Sequence, residues 1–498
     1  MTTSIRNRWL RVFPGVALLT LLAAGCKKGD DSGTSPTPTP PTNPTMPSGS
    51  SQVAMWLTLP DQSVLFKRQA ASLQFTTTPN SDPTIAVDTT QTYQTMDGFG
   101  YTLTGGSAQL MSRMSATSRA ALIKELFATD STSLGVSYLR VSIGASDLSD
   151  HVYTYDDSAQ PDPDLTNFSL VPDQTYLIPV LKEILAVNPA IKILGSPWTA
   201  PIWMKNGPNS NTSPSSIGGS LKPDYYDAYA RYFVKYIQGM KAQGITIDAV
   251  TLQNEPLNPN NNPSLYMTGA EQATFIKNNV GPAFRAAGLS TKIIAYDHNP
   301  DTDGINFVNA VLSDAGASPF VDGTGFHLYN GTSISTLSNV RNQYPAKNIY
   351  FTEQWTQANK SFSGDLFWHV SNLEIGAPAN WSRNVLEWNL ASDPTTSIHT
   401  PGGCSDCLGA ITINGDQVTR NVAYYSIAHS SKFVRPGSVR VATTSSLGSL
   451  LNVAYKTPSG KRVLVVVNGG GAQKFNIKYK GKLASTTLNS GAVATYIW

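Results

Sequence analysis

Two glutamates stand at the ends of two short strand-like runs, and together they define the chemistry on offer. The run Asp248-Ala249-Val250-Thr251-Leu252-Gln253-Asn254-Glu255-Pro256 opens short, apolar and β-branched, like a strand in the middle of a parallel sheet. It stops at Pro256, which has no N–H with which to continue a ladder. An amide and a carboxylate are thereby delivered together at the strand's C-terminal end. Alone, Asn-Glu-Pro suits a structural Glu–Arg pair as well as a reactive acid. The run Asn348-Ile349-Tyr350-Phe351-Thr352-Glu353-Gln354-Trp355 repeats the design and projects a second Glu. Chemistry in barrels and open α/β sheets gathers at the C-terminal ends of strands, and two facing carboxylates are what cleavage of a glycosidic bond requires.

Eight strand signals alternate with seven amphipathic helical stretches along the middle of the chain. The strands are read at 97–101, 137–143, 192–196, 249–252, 292–296, 323–327, 349–352 and 385–389, and the helices at 116–128, 176–187, 225–243, 270–287, 305–314, 334–344 and 363–373. That alternation predicts a (β/α)8 TIM barrel over residues 96–424. Strand-like alternation also runs through 53–95. The C-terminal segment 425–498 opens with a last helix near 427–433 and continues from Val439 to Trp498 in β signals with Gly-rich turns. Each flank is small, so the N- and C-terminal segments are expected to share one β-sandwich side domain.

The strand ends then specify a rim. Strand two presents Arg140 and, beyond it, Asp147; strand three Trp198; strand four Asn254 and Glu255. Strand six presents His327 and Tyr329, strand seven Glu353, and strand eight Trp388 and Asn389. Indoles cover the apolar faces of pyranoses while Asp, Asn and Arg read hydroxyls, so this is a sugar-binding set. Arg140 also fits a plain structural partner of Glu255 or Glu353, and such a partner tunes the acid it holds. Trp203 and Trp355 read as packing residues, and His298 and His369 as ordinary surface or loop histidines.

Charged residues make up 14% of the 498 residues, and the net charge is +3. No Lys/Arg block lies outside the N-terminus, which argues against nucleic acid. No Gly-x-Ser-x-Gly elbow, phosphate-binding loop or dinucleotide fingerprint is found, so no cofactor is expected. At the N-terminus Arg6, Arg8 and Arg11 precede an apolar core over Val16 to Ala24 that is too short to span a bilayer. It ends in Leu22-Ala23-Ala24-Gly25-Cys26, which resembles a bacterial lipobox. Residues 1–26 are then a lipoprotein signal with Cys26 lipidated, and the Pro/Thr/Ser-rich 27–52 is a disordered tether. The alternative is an ordinary signal peptide with a chance cysteine. The first reading predicts an exported monomer, membrane-anchored by lipid alone and facing the periplasm or cell exterior. Cys404 and Cys407 are left as a pair in an oxidising compartment with no second Cys/His pair near them in sequence, so a local disulfide is expected rather than half of a zinc site.

The run Gly195-Ser196-Pro197-Trp198-Thr199-Ala200-Pro201-Ile202-Trp203-Met204-Lys205 resembles the Ser-Pro-Trp motif of glycoside hydrolase family 30, the glucosylceramidase and endo-β-1,6-glucanase family. Tyr138-Leu139-Arg140-Val141, Ser146-Asp147-Leu148-Ser149, Asn254-Glu255-Pro256, His327-Leu328-Tyr329, Trp388-Asn389-Leu390-Ala391 and Ile427-Ala428-His429-Ser430-Ser431-Lys432-Phe433-Val434 are similar to its other motifs, in order, from Val53 to Trp498. The resemblance implies a retaining β-glycosidase acting by double displacement, with Glu255 as acid/base and Glu353 as nucleophile. Arg140, Asp147, Trp198, Asn254, Tyr329 and Trp388 would shape the glucose subsite, with His327 in the same network. An acid/base in this role is expected to have a raised pKa. Glu387 stands where mammalian glucosylceramidases carry Asp, and the loop 399–408 resembles bacterial members. Both β-1,6-glucan and glucosylceramide-type β-glucosides are therefore candidate substrates. The alternatives are an inactive surface glycan-binding lipoprotein and a member acting on another β-glycoside such as a xyloside or fucoside.

Overall fold

A computed structural model describes residues 52–209, 212–329 and 331–498. The signal segment, Cys26 and nearly all of the tether lie outside the described residues. Gly98–Thr102, Tyr138–Ser142, Lys192–Ser196, Ala249–Thr251, Lys292–His298, Val321–His327, Asn348–Glu353 and Ser382–Glu387 are barrel strands one to eight. Each pairs in parallel with its chain neighbours, and strand eight closes on strand one. The expected TIM barrel is present.

Closure demands tight backbone approach at strand one. A Cβ on Gly100 would sit 1.9 Å from the Tyr138 carbonyl oxygen, so only glycine fits there. Tyr138, Leu194, Ala249, Ile294, Tyr350 and Leu386, from six different strands, pack together as a cluster of their own. Charge closes the N-terminal end of the barrel: Asp97 receives Lys192 at 3.1 Å and Arg383 at 2.9 Å, and Lys292 meets Asp322 at 3.2 Å. The C-terminal end is left free for chemistry, as in other barrels.

A helix over Gly105–Arg113 was not legible in the sequence. Its Gly-Gly start reads as a loop, but the Thr104 hydroxyl caps it by accepting from the Ser107 N–H. The last helix is Val422–Ser431, earlier than expected, because all ten of its residues are buried and no amphipathic period marks its start. A domain division at 424/425 falls inside this helix, so the crossing to the side domain comes after it. His429 makes the junction: Thr58 Oγ1 lies 2.8 Å from its Nε2 and Thr495 Oγ1 2.9 Å from its Nδ1.

The side domain is one ten-stranded sheet built from both ends of the chain. Gln52–Thr58 pairs antiparallel with Val493–Ile497, and Thr84–Thr95 lies between Val439–Ser445 and Gln473–Tyr479. The sheet curls back on itself, since Thr76 and Leu483 exchange backbone hydrogen bonds of 2.8 Å. Val53, Ile85, Leu464, Phe475 and Tyr496 are among the residues filling its core. Lys482–Leu488, absent from the sequence reading, supplies one of its strands.

Candidate active site

Arg140 leaves strand two with no exposed surface and holds four partners. Its Nη1 donates to Glu353 Oε2 at 2.5 Å, and its Nη2 to Asn254 Oδ1 at 2.7 Å, Asp297 Oδ2 at 2.8 Å and Ser196 Oγ at 3.1 Å. Asp297 was missed by the sequence reading, which ended strand five at Tyr296. This carboxylate accepts from side chains on strands two, three, four, six and seven: Arg140, Ser196 at 2.9 Å, Thr251 at 2.8 Å, His327 Nε2 at 3.1 Å and Thr352 at 2.6 Å. Burial works against its charge, but Arg140 and His327 outweigh that and hold it far below the carboxylate range. Tyr296 and Asp297 both sit at positive φ, 72° and 94°. A bulge between strands five and six accompanies them and aims the carboxylate inward. Glu255 is likewise left-handed, at φ 46°. Strain of about 1–3 kcal/mol per such residue persists only where the surroundings impose it, and it clusters at functional sites.

Glu255 and Glu353 face one another across His327. Glu255 Oε1 lies 3.1 Å from His327 Nδ1, its Oε2 accepts from Asn258 Nδ2 at 2.8 Å, and Glu353 Oε1 accepts from the Tyr329 hydroxyl at 2.9 Å. Both carboxylates line a cleft of about 150 Å³ together with Asp147, Trp198, Asn254, Tyr329 and Trp388. The indoles of Trp198 and Trp388 lie 5.4 Å apart, with the Arg140 guanidinium 4.8 Å over the first.

Four readings of individual residues are corrected. Trp355 lines the cleft rather than only packing behind it. His298 is a part-buried site residue whose Nε2 stands 3.8 Å from Glu255 Oε1. His369 ends the helix Phe362–His369 and is buried against strand eight, 2.9 Å from Glu387, whose side chain the strand's alternation turns away from the cleft. Asn389 also turns from the cleft, accepting from Ser107 Oγ at 2.9 Å and Thr104 Oγ1 at 3.2 Å.

Residues 96–434 match the model of the glycosyl hydrolase family 30 TIM-barrel domain, and 437–496 that of the family 30 beta sandwich domain. The chain belongs to glycosyl hydrolase family 30. It is 38% identical over 400 residues to the endo-1,6-beta-D-glucanase BGN16.3 of Trichoderma harzianum, covering 76% of this chain and 79% of that protein. A solved structure described as the endo-beta1,6-glucanase BT3312 superposes with a TM-score of 0.83 at 37% identity, over 90% of this chain and 99% of that one. The lysosomal acid glucosylceramidase of Mus musculus is 28% identical over 398 residues, 76% of this chain and 75% of that one.

This family 30 chain is a retaining β-glycosidase, and its geometry agrees. One carboxylate oxygen of Glu255, one of Glu353 and a His327 nitrogen lie within 4.8 Å of one another. Inversion needs carboxyl groups about 6.5–9.5 Å apart to admit a water, whereas retention uses the shorter spacing. The same three atoms are of metal-ligand type, but the positive charge of Arg140 already lies against Glu353, so a cation would have to displace existing partners.

The proton inventory departs from expectation. Burial pushes Glu255 up, but hydrogen bonds from His327 and Asn258 and the charges of His327 and His298 prevail and hold it down to about 2. The raised carboxyl expected at Glu255 is therefore not found; its surroundings favour the carboxylate. Glu353 is raised by its burial, against the pull of His327 and Arg140. Burial followed by the charges of Glu353 and Glu255 lifts Asp147 to about 7.

Cys404 and Cys407 are joined by a disulfide. It packs with Leu148, Trp198 and Trp388, and the Cys404 N–H donates to the Asp147 carboxylate. Thr356 and Gln357, just after Glu353, pair with Leu408 and Cys407. So short a loop contributes at most about 2 kcal/mol in the chain-entropy model. Reduction is expected to raise KM several-fold while lowering Tm by no more than about 3 °C. Kinetics and melting with and without reductant check this; a large fall in Tm with unchanged KM would contradict it.

Proposed function

We propose that this family 30 enzyme cleaves β-1,6-linked glucan within the chain, as a monomer, with Glu353 as nucleophile and Glu255 as general acid/base. The observation that carries the substrate is the step in similarity: 38% and 37% identity to two endo-1,6-β-glucanases against 28% to a glucosylceramidase. The cleft supports it. Asn258, Asn261 and Trp355 line the same cavity as the two glutamates, and amides with an indole suit a second sugar better than a sphingoid chain. Asp147, Trp198, Asn254, Tyr329 and Trp388 hold the glucose whose bond is broken, and Arg140 and His327 hold the two acids.

A panel of β-1,6-glucan, gentiobiose, an aryl β-glucoside, glucosylceramide and xylan tests the reading. The expected result is a ladder of gentio-oligosaccharides from the glucan at the earliest times, with slow release from gentiobiose. Preference for glucosylceramide or xylan, or glucose as sole first product, would overturn it.

We further propose that residues 1–26 are a lipoprotein signal, that Cys26 carries the anchor and 27–52 the tether, and that the enzyme works outside the inner membrane. Arg6, Arg8, Arg11 and Gly25-Cys26 support this. In a bacterial host Cys26→Ala should leave the protein unprocessed or released. Membrane fractionation of that variant at its usual mature mass would end the lipoprotein reading.

A further inference from the structure

We propose that the catalytic proton of the resting enzyme is stored on His327 Nδ1, with Asp297 fixing it there, and that attack by Glu353 releases it through Glu255 to the departing oxygen. The inference deepens the proposed function and rests on Glu255 being the acid/base.

The tautomer follows from Asp297. Five donors converge on this ionised, fully buried carboxylate, and His327 Nε2 is one of them, so Nε2 carries a proton. Nδ1 then either carries a second proton or accepts one from Glu255. Two carboxylates face Nδ1, Glu255 Oε1 at 3.1 Å and Glu353 Oε1 at 3.7 Å. An imidazole is intrinsically the stronger base by about two pKa units, and two adjacent anions favour its cation. Asn258 donates to the other Glu255 oxygen, which also suits a carboxylate. The remaining neighbours are the His298 ring at 6.1 Å and the Tyr329 ring at 5.8 Å, while Arg140 lies behind Asp297 and Glu353. His327 is accordingly raised to about 10: burial opposes its charge, and the charge of Glu353 is foremost in overcoming that.

Glu353, 3.7 Å from Nδ1, supplies the timing. As Glu353 bonds to the anomeric carbon its charge is lost, and His327 loses one of the two anions that face Nδ1. The C–O bond to the leaving group breaks; the proton passes from Nδ1 to Glu255 and on to the glycosidic oxygen. His327 is left neutral, still donating from Nε2 to Asp297. In the second half-reaction water gives its proton to Glu255 and thence to Nδ1, and its oxygen displaces Glu353, which regains its charge. His327 acts through Glu255 and is a positioning residue.

The test is 15N NMR of histidine-labelled enzyme, free and with Glu353 trapped by a 2-deoxy-2-fluoroglucoside. His327 is assigned with His327→Gln or, if that variant does not fold, Asp297→Asn. Free enzyme should show an imidazolium at pH 8, and trapping should lower its titration by more than about one pH unit. A neutral ring in free enzyme, or a midpoint unmoved by trapping, overturns the proposal. In His327→Gln the alkaline limb for alkyl β-glucosides should move to lower pH, with a far smaller loss on dinitrophenyl β-glucoside. Equal losses on both with an unshifted limb would mean a merely structural role. Azide chemistry at Glu255 tests the underlying assignment separately.

Discussion

Glu353→Gly leaves no measurable hydrolysis of any β-glucoside, and added azide restores turnover with the α-glucosyl azide as product. Arg140 and Tyr329 hold the two oxygens of Glu353 at 2.5 and 2.9 Å, so the carboxylate meets the cleft in a single orientation. Removing it takes away the bond-forming atom itself. A fall of about 10⁴-fold or more is expected, on the order of 5–6 kcal/mol of barrier. Azide fits the vacated space beneath the anomeric carbon and, with Glu255 still able to protonate the leaving group, attacks from the nucleophile's face. One inversion in place of two gives the α product. Arg140 keeps Asp297, Asn254 and Ser196, so the variant retains most of its buried network. Product NMR decides the matter: a β-azide, or wild-type turnover without azide, removes Glu353 from the nucleophile's role.

Glu255→Ala divides substrates by leaving group. Dinitrophenolate departs unaided, so formation of the glycosyl-enzyme is spared and a burst precedes slow release of glucose. Substrates with a sugar alcohol leaving group need the proton and should lose about 10²–10⁴-fold. Azide, needing no general base, should accelerate the second step and yield the β-glucosyl azide. A uniform loss across leaving groups, with no burst, would mean that Glu255 only shapes the pocket. The variant also removes one of the two anions facing His327 Nδ1, so the ring should titrate at lower pH than in the parent. The sign is fixed by linkage: an anion taken from a cation's side lowers the cation's pKa.

The two glutamates were legible because each ends an apolar run, and strand ends are where a barrel exposes side chains. The same logic reached Arg140, Asp147, Trp198, Asn254, His327, Tyr329 and Trp388. It would have reached Asp297 had strand five been read one residue further. Asn389 and Glu387 show its limit, since a residue at a strand end can face away from the cleft, and only the pleat decides. His369 belongs to that same hidden side. The Gly105–Arg113 helix was masked by glycines whose cap is a tertiary-framed Thr104, which also reaches Asn389. The start of Val422–Ser431 was masked because a helix buried on every side has no polar face to set a period.

By itself the chain's order of residues determined the barrel, the joining of its two ends in one sheet, and the pair of carboxylates. Periodicity, punctuation and residue type are local properties, and each repeats often enough along 498 residues to be read. Only the tertiary structure decided the charge state of the site. Glu255 is held low by His327 from strand six, His298 from strand five and the Asn258 amide, and His327 is held high by Glu353 from strand seven, Asp297 from strand five and Glu255 itself. A pKa is set by distances to charges and by the water excluded between them, and neither exists until strands far apart in sequence close into a ring.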